Sequence, residues 1–398
     1  MAGEDRGSDL NKALRSPLPA YLILYGTLYL AYGTESAYLP EFLRSHGLEI
    51  EQVGLALAAG TIVRIIAGPL IGHLADYLEA TKQILAVAAF LSGVIGIAYL
   101  VAYGAAPLMT VIICHAAATA SLAPLCDTLS VAASAKGRTF QYGWVRGAGS
   151  IAFIAGTLMS GQLIDRFGLA SIIIGSSACF ILMMVSAATL QSPLTDPKPS
   201  ATRQGGAVAL LWGIPAYRRL IVVAFLVIGS HALNDTFAVI QWRAAGYSSW
   251  VISLMWSEAV LAEVLVFFVL GPWLITRLGP ARAVGIAAGA GMLRWGIMAS
   301  TAAVPALVVA QALHGFTFAL LHLAAMAVIA RNVPDRLAAT AQTLYGTGAL
   351  GIASALMTTA SGYLYGALGA QAFWAMAALC AFALPLVRGL SSGCNGRP

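Results

Sequence analysis

The residues best suited to chemistry in this sequence are an aspartate and an arginine that flank a short basic turn. Asp127 lies nine residues before Lys136, and Arg146 lies eight residues after Arg138. At a rise of about 1.5 Å per residue, two helices that meet at this turn carry both side chains roughly 12–13 Å beyond it. An acid and a guanidinium at matched depth can bind a polar ligand, or they can neutralise each other as a structural ion pair.

The composition shows that these charges lie in a membrane protein. The chain has 398 residues, of which 59% are hydrophobic and 10% are charged, and its mean hydropathy is +0.82. A soluble domain carries about 25% charged residues. The net charge of +6 is scattered and forms no basic run, which argues against a nucleic-acid partner. The five cysteines have neither metal nor disulfide spacing, so we expect them to pack as small residues and to bind no metal.

Twelve apolar runs predict an all-α fold of twelve transmembrane helices, because each run can cross a hydrocarbon layer of about 30 Å. The first run is too long for a cleavable signal peptide. Of the 22 Lys and Arg residues, 16 lie in the termini and even-numbered loops, 3 in odd-numbered loops and 3 within the runs. This bias predicts that both termini are cytoplasmic. The runs lie near residues 18–41, 52–74, 83–103, 106–134, 142–163, 169–190, 219–242, 250–275, 281–301, 304–330, 337–365 and 367–388.

A stretch rich in proline, glycine and charge separates the sixth run from the seventh, and the two halves of the chain repeat one another. SGQLIDRFG at 160–168 matches SGYLYGALG at 361–369, and His115 precedes His314 by 199 residues. Such repeats are the plan of secondary transporters, in which two pseudo-symmetric bundles enclose a site near the bilayer midplane. We therefore predict an N-terminal tail, a six-helix bundle, a linker, a second bundle and a C-terminal tail, at residues 1–17, 18–190, 191–218, 219–388 and 389–398.

Three motifs, together with the twelve runs and the linker, resemble the major facilitator superfamily. They are GHLAD at 72–76, YGWVRGAGS at 142–150 and LHGFTFALLHLAAMAVI at 313–329. The last two resemble its phenylpropionate permease branch, whose members are relatives of lactose permease. The resemblance implies a proton symporter with two six-helix bundles that rock about a central site.

The resemblance also implies site residues. Asp127 and Arg146 match the acid–arginine pair at the sugar site of lactose permease, and Glu258 or Glu263 matches its substrate-side glutamate. Thr317 stands where lactose permease has a proton-carrying glutamate, so another group must carry the proton here. The substrate-binding residues predicted in this way are Asp127, Arg146, Glu258, Arg294 and His314.

Charged and histidine side chains inside the runs supply candidates for the proton site. Glu263 and Arg294 both lie near the midplane, where we expect them to form an ion pair or relay. Glu263 is the first candidate for proton coupling, and the others are Asp235, His314 and His322. Asp76, at the end of GHLAD, is predicted to act in gating. Arg64 and Glu35 are equally compatible with structural and functional roles, and His115 is interpreted mainly as structural.

The leading hypothesis is a monomeric transporter of the inner membrane that couples protons to the import of a small anion. Its substrate would be an organic acid, including aromatic carboxylates such as phenylpropionate, and Arg146 would hold the carboxylate. The proton gradient would drive it without a cofactor. The alternative is a proton-coupled antiporter that exports a drug or metabolite. A membrane enzyme is disfavoured, because the loops are short and carry no catalytic motif.

Overall fold

The computed structural model describes residues 17–135, 140–190 and 206–390. These ranges are helical without strands, and ten runs in them are long and apolar enough to cross a membrane. One of the ten, Asp335–Leu390, turns back at the positive-φ residue Gly369 and contains two crossings. The helix Leu18–Ser36 is not among the ten, because four tyrosines and Glu35 lower its hydropathy. The second crossing of Asp335–Leu390 and the helix Leu18–Ser36 bring the ten to twelve. The predicted all-α, twelve-helix architecture is confirmed.

The twelve helices are numbered in chain order, and several consist of two segments. They are α1 Leu18–Ser36, α2 Ile50–Tyr77, α3 Thr81–Ile97, α4 Ala105–Thr119 with Leu122–Ala135, α5 Tyr142–Phe167, α6 Ala170–Thr189, α7 Pro215–Gly229 with Ala232–Ala244, α8 Ser249–Leu265 with Gly271–Leu278, α9 Pro280–Ser300, α10 Val304–Ala312 with Leu321–Asn332, α11 Ala338–Leu344 with Ala353–Leu368, and α12 Phe373–Val387. Short helices at Leu39–Ser45 and Ala207–Trp212 follow α1 and precede α7.

We call α1–α6 the N-terminal half and α7–α12 the C-terminal half. The predicted tails and most of the predicted linker lie outside the described residues, so the domain boundaries stay a prediction.

Helices α4, α7 and α10 are interrupted near their centres. The interruptions fall at Ala120–Ser121, at Ser230–His231 and just before a π-helical turn at Phe316–Leu320. Each of these helices is the first of three consecutive helices in the chain, α4–α6, α7–α9 and α10–α12. Irregular backbone at membrane depth is tolerated where it lines a cavity or is covered by protein, so these interruptions point to the same internal region.

The halves meet at the end of the molecule opposite to Leu18 and Leu390, which we call the closed end. In two places a glycine allows helices from the two halves to touch. A Cβ added at Gly54 of α2 would lie 2.8 Å from the carbonyl oxygen of Thr358 in α11. One added at Gly161 of α5 would lie 2.5 Å from Ser253 Oγ in α8. Such close approach is the usual role of small residues between membrane helices.

Candidate functional site

Two adjoining cavities lie between the halves, with volumes of about 520 and 470 Å³. Both are lined by Ser36, Phe153, Asp235 and Ser354, so they form one continuous region. The lining comes from α1, α2, α4, α5, α7, α8, α10 and α11, which include the three interrupted helices. Each volume is within the range of small-molecule sites, about 300–1,000 Å³.

On the C-terminal wall, a histidine joins an acid to a buried arginine. His314 Nε2 lies 3.8 Å from Glu263 Oε2, while Arg294 Nη1 lies 2.9 Å from His314 Nδ1. Since the guanidinium can only donate, Nδ1 accepts this hydrogen bond and the proton of a neutral imidazole sits on Nε2. The imidazole N–H therefore faces Glu263. Of the two arrangements predicted for Glu263 and Arg294, the direct ion pair is wrong, because His314 lies between them, and the relay stays a prediction.

Arg294 is fully buried and its guanidinium is largely enclosed by protein groups. It donates to Thr317 Oγ1 at 3.4 Å and to Gln311 Oε1 at 3.2 Å, and it lies 4.3 Å over the ring of Trp295. It is not among the described residues that line either cavity. Its predicted contact with substrate therefore stays a prediction, and its observed contact is with His314.

Asp235 and His231 extend this wall along α7. The Asp235 side chain is exposed to both cavities, and its Oδ1 accepts a hydrogen bond from Asn234 Nδ2 at 3.1 Å. The His231 ring lies 5.2 Å from the His314 ring. Asp235, Glu263 and His314 thus all reach the cavity, as a proton pathway would require.

Glu258 and His322, two other predicted residues, are not brought to the cavity. Among the described lining residues α8 contributes Trp256 and Glu263 but not Glu258, which is half-buried. His322 lies beside Tyr345 of α11, with 5.7 Å between the ring centres. The substrate role of Glu258 and the proton role of His322 stay predictions without a described contact that supports them.

On the N-terminal wall, Glu35 and His115 form a second acid–histidine couple. Glu35 Oε1 lies 3.7 Å from His115 Nδ1, and only 8% and 2% of the two residues are exposed. Arg64 of α2 lines the same cavity and its side chain is exposed. Tyr32 completes this wall and donates its hydroxyl to the carbonyl of Thr119 at 3.3 Å.

Asp127 and Arg146 are not bonded to each other. Asp127 Oδ1 accepts hydrogen bonds from the hydroxyls of Tyr25 at 2.5 Å and Tyr142 at 2.9 Å. The Arg146 guanidinium lies 4.8 Å over the ring of Tyr29, and the side chain is exposed. The alternative of a structural ion pair is therefore not formed, because equal depth does not make two side chains face each other. Instead, both contact the tyrosines of α1.

Comparison with known proteins identifies the family. A family model described as "MFS_1 like family" matches residues 20–376. The chain belongs to this family. It is 33% identical over 359 residues to the "Probable 3-phenylpropionic acid transporter" of Escherichia coli (strain K12), covering 89% of this chain and 92% of that protein. It is 24% identical over 356 residues to the "Uncharacterized transporter YwbF" of Bacillus subtilis (strain 168), covering 89% and 88%.

The fold agrees with this assignment. The crystal structure of the nucleoside transporter NupG matches with a TM-score of 0.80 at 16% identity, over 95% of this chain and 99% of that one. The chain is therefore a multi-pass membrane transporter of the major facilitator type, as the sequence motifs predicted.

Asp76, the predicted gating residue of this transporter, lies in the last turn of α2 and is exposed at the end that holds Leu18. The turn after it contains Glu79 at a φ of 48°, a conformation that glycine adopts more readily, and Glu79 N–H donates to the carbonyl of Asp76 at 3.2 Å. The gating role stays a prediction.

Sequence reasoning missed two polar residues of the transporter's central region. Gln311 is 1% exposed, lines the cavity and accepts from Arg294, and Ser354 lies where the two cavities join. A usable signal existed for Gln311, because it precedes His314 by three residues and so shares its helix face. Ser354 gave no such signal, since it lies in an apolar and small-residue run of α11.

Proposed function

We propose that this transporter is a proton symporter that imports a small organic acid by alternating access. The observation that carries the proposal is the opposition of two walls across one cavity. The N-terminal wall presents the exposed guanidinium of Arg64, and the C-terminal wall presents the carboxylates of Asp235 and Glu263, the latter 3.8 Å from His314. The first arrangement suits an anion and the second suits a proton.

The substrate side combines charge with aromatic surface. Arg146 has no carboxylate within 4.0 Å among the described residues, so its guanidinium is available for a substrate carboxylate. It rests on Tyr29, whose ring is 6.0 Å from those of Tyr25 and Tyr32. An aromatic carboxylate such as phenylpropionate matches this surface. The name of the Escherichia coli relative supports the same class of substrate.

The proton side works through the Glu263–His314 couple. A proton on Glu263 neutralises this carboxylate and so removes one negative charge that repels a substrate anion. Because Arg294 fixes Nδ1 of His314 as an acceptor, the Nε2 proton faces Glu263 and can stabilise its carboxylate after the proton leaves. Asp235 is the second candidate carrier, on the neighbouring α7.

The bias of basic residues places both termini in the cytoplasm, and the bacterial relatives favour the inner membrane. The closed end is then periplasmic, and the cavity faces the cytoplasm in this conformation. A monomer is sufficient for transport in this proposal, because the two halves of one chain supply both walls of the cavity.

A proton-coupled exporter is the second candidate. The two carboxylates Asp235 and Glu263 on one wall would suit a cationic drug or metabolite, and protons would compete for them. The exposed guanidinium of Arg64 on the opposite wall makes an anion the better match.

Uptake of labelled 3-phenylpropionate into proteoliposomes, with and without an inward proton gradient, tests the proposal. We expect accumulation only with the gradient. Arg146→Lys should bind this acid at least about tenfold more weakly, because lysine keeps the charge but loses the planar fork and the contact with Tyr29. The symporter is excluded if an opposite proton gradient drives accumulation, or if no acid in a panel of organic acids is transported. Wild-type affinity in Arg146→Lys excludes the role of Arg146 alone.

A further inference from the structure

The two halves place ionisable groups at equivalent sequence positions around the cavities. Glu35 and Asp235 are separated by 235 − 35 = 200 residues, and His115 and His314 by 314 − 115 = 199. Arg64 and Glu263 are also separated by 263 − 64 = 199. All six side chains line the cavities, listed by half as Glu35, Arg64 and His115, and Asp235, Glu263 and His314.

At one of these equivalent positions the two halves carry side chains of opposite charge. The acids Glu35 and Asp235 correspond, as do the two histidines, and each histidine lies within 4 Å of an acid of its own half. Arg64, however, is a cation where the C-terminal half has the acid Glu263. The internal repeat supplies the same framework to both walls, and this single exchange is what adds a cation to the N-terminal wall where the C-terminal wall has a second acid.

Arg64 lacks a protein counterion in the described structure. It lies 14 residues from Ile50 and 13 from Tyr77, in the middle of α2, so it is near the midplane. Within the described residues, no acid lies within 4.0 Å of its nitrogens and no hydrogen bond to a protein acceptor is formed. The nearby acid, Glu35, is directed to His115 Nδ1 at 3.7 Å.

Arg294, a buried arginine of the same protein, differs from Arg64 in having several protein partners. Its guanidinium is fully buried and bonds to His314, Gln311 and Thr317. Arg64 is exposed to the cavity instead. An intramembrane guanidinium without protein partners is costly, and an anion that enters the cavity can provide the missing partner.

We propose that Arg64 forms an inner anion site, where the substrate carboxylate binds after it has passed Arg146. This inference rests on the proposed transport of an organic acid and adds a second, deeper binding residue. The carboxylate accepts two N–H bonds from the Arg64 guanidinium. The apolar part of the substrate then lies against Leu57 and Phe153, which line the same cavity.

Two landmarks give the order of the sites. Arg146 contacts Tyr29, and Arg64 shares its cavity with Tyr32, which is three residues closer to the closed end on α1. On α5, the cavity-lining Phe153 follows Arg146 by seven residues, or about 10 Å along nearly the same helix face. Arg146 is therefore the outer site and Arg64 the inner one in this conformation.

The test measures equilibrium binding of labelled 3-phenylpropionate to the purified full-length protein, and competition by neutral 3-phenylpropanamide. We expect Arg64→Gln to weaken binding of the acid at least about tenfold and Arg64→Lys to weaken it less. The affinity of the amide, which carries no charge, should be the same for both variants and for the wild-type protein, as measured by its competition with the labelled acid. The matched control is Arg44→Gln, which removes an arginine whose pair with Glu49 lies within one half at the closed end.

The outcomes separate this inference from the proposed function. Wild-type acid affinity in Arg64→Gln, or an equal loss for acid and amide, overturns the inner site while the symporter proposal stands. Failure of the wild-type protein to bind any organic acid overturns both. If Arg64→Gln does not fold, as judged by thermal unfolding, Arg64→Lys decides, and unchanged acid affinity in that variant together with unchanged transport overturns the inner site.

Discussion

Glu41 of the N-terminal half and Arg243 of the C-terminal half form an ion pair, with 2.9 Å between Oε1 and Nε. Among the salt bridges of the described residues, it is the one that joins the two halves. Arg243 Nη2 also donates to Ser249 Oγ at 2.6 Å, and the Tyr38 hydroxyl lies 2.7 Å from Ser253 Oγ. Opening of the closed end requires the Glu41–Arg243 and Tyr38–Ser253 contacts to separate, because these two join the halves.

We therefore expect Arg243→Gln to favour the conformation that is open at the closed end. The change leaves Glu41, whose side chain is 20% exposed, without its partner. The measurement is the rate of thiol labelling of Ser253→Cys, a buried position at this end, in a background without reactive native cysteines. Labelling should accelerate several-fold relative to the same reporter with Arg243 intact.

The exchange Glu41→Arg with Arg243→Glu should slow labelling again, because it restores opposite charges across the halves. Arg44→Gln serves as the control. Equal labelling rates with and without Arg243 would show that the pair does not hold the closed end together.

Proton coupling is predicted to depend on Glu263. Glu263→Gln mimics the permanently protonated acid, so it should abolish gradient-driven uptake yet preserve exchange of labelled for unlabelled substrate. Asp235→Asn is the matched comparison, since Asp235 faces the same cavity from α7. Both reactions are measured in proteoliposomes. If Glu263→Gln still accumulates substrate while Asp235→Asn does not, the coupling site lies on α7.

Asp76 is expected to affect transport rate more than binding. Asp76→Asn removes a charge at the exposed end of α2, remote from the residues that line the cavities. Substrate affinity should stay within about threefold, an energy below roughly 0.7 kcal/mol, while uptake slows. Binding and uptake are measured on the same preparation. Complete loss of binding would place Asp76 in the substrate site.

The packing of α1 on α5 makes a prediction about stability. A Cβ at Gly33 would collide with the backbone carbonyl of Phe153, whereas one at Gly26 meets no atom within 4 Å. Gly33→Ala should therefore destabilise the protein by about 1–3 kcal/mol, the usual effect of overpacking. Gly26→Ala should be neutral or slightly stabilising, because alanine favours helix. Thermal unfolding in detergent compares the two, and equal midpoints would contradict the close contact.

The fold could be predicted because hydropathy identifies each membrane helix from its own residues. The depth of a side chain also follows from counting along its helix, which is why Glu263 and Arg294 could be assigned to similar depths before their contacts were known. Which side chains contact one another could not be predicted from depth, because these contacts depend on how each helix is rotated against its neighbours. Asp127 accepts hydrogen bonds from tyrosine hydroxyls on two helices, and the ring of His314 separates Glu263 from Arg294.

The tyrosines of α1 have a consequence for how the protein enters the bilayer. Tyr25, Tyr29 and Tyr32, with Glu35, leave α1 too polar to count among the ten strongly apolar runs, and such a helix partitions weakly into lipid by itself. Its main packing partners are α5 and α6, which the ribosome synthesises only after α2, α3 and α4. The helices that cover α1 are therefore synthesised late, so we expect a nascent chain that stops before Tyr142 to hold α1 less firmly than the full chain does.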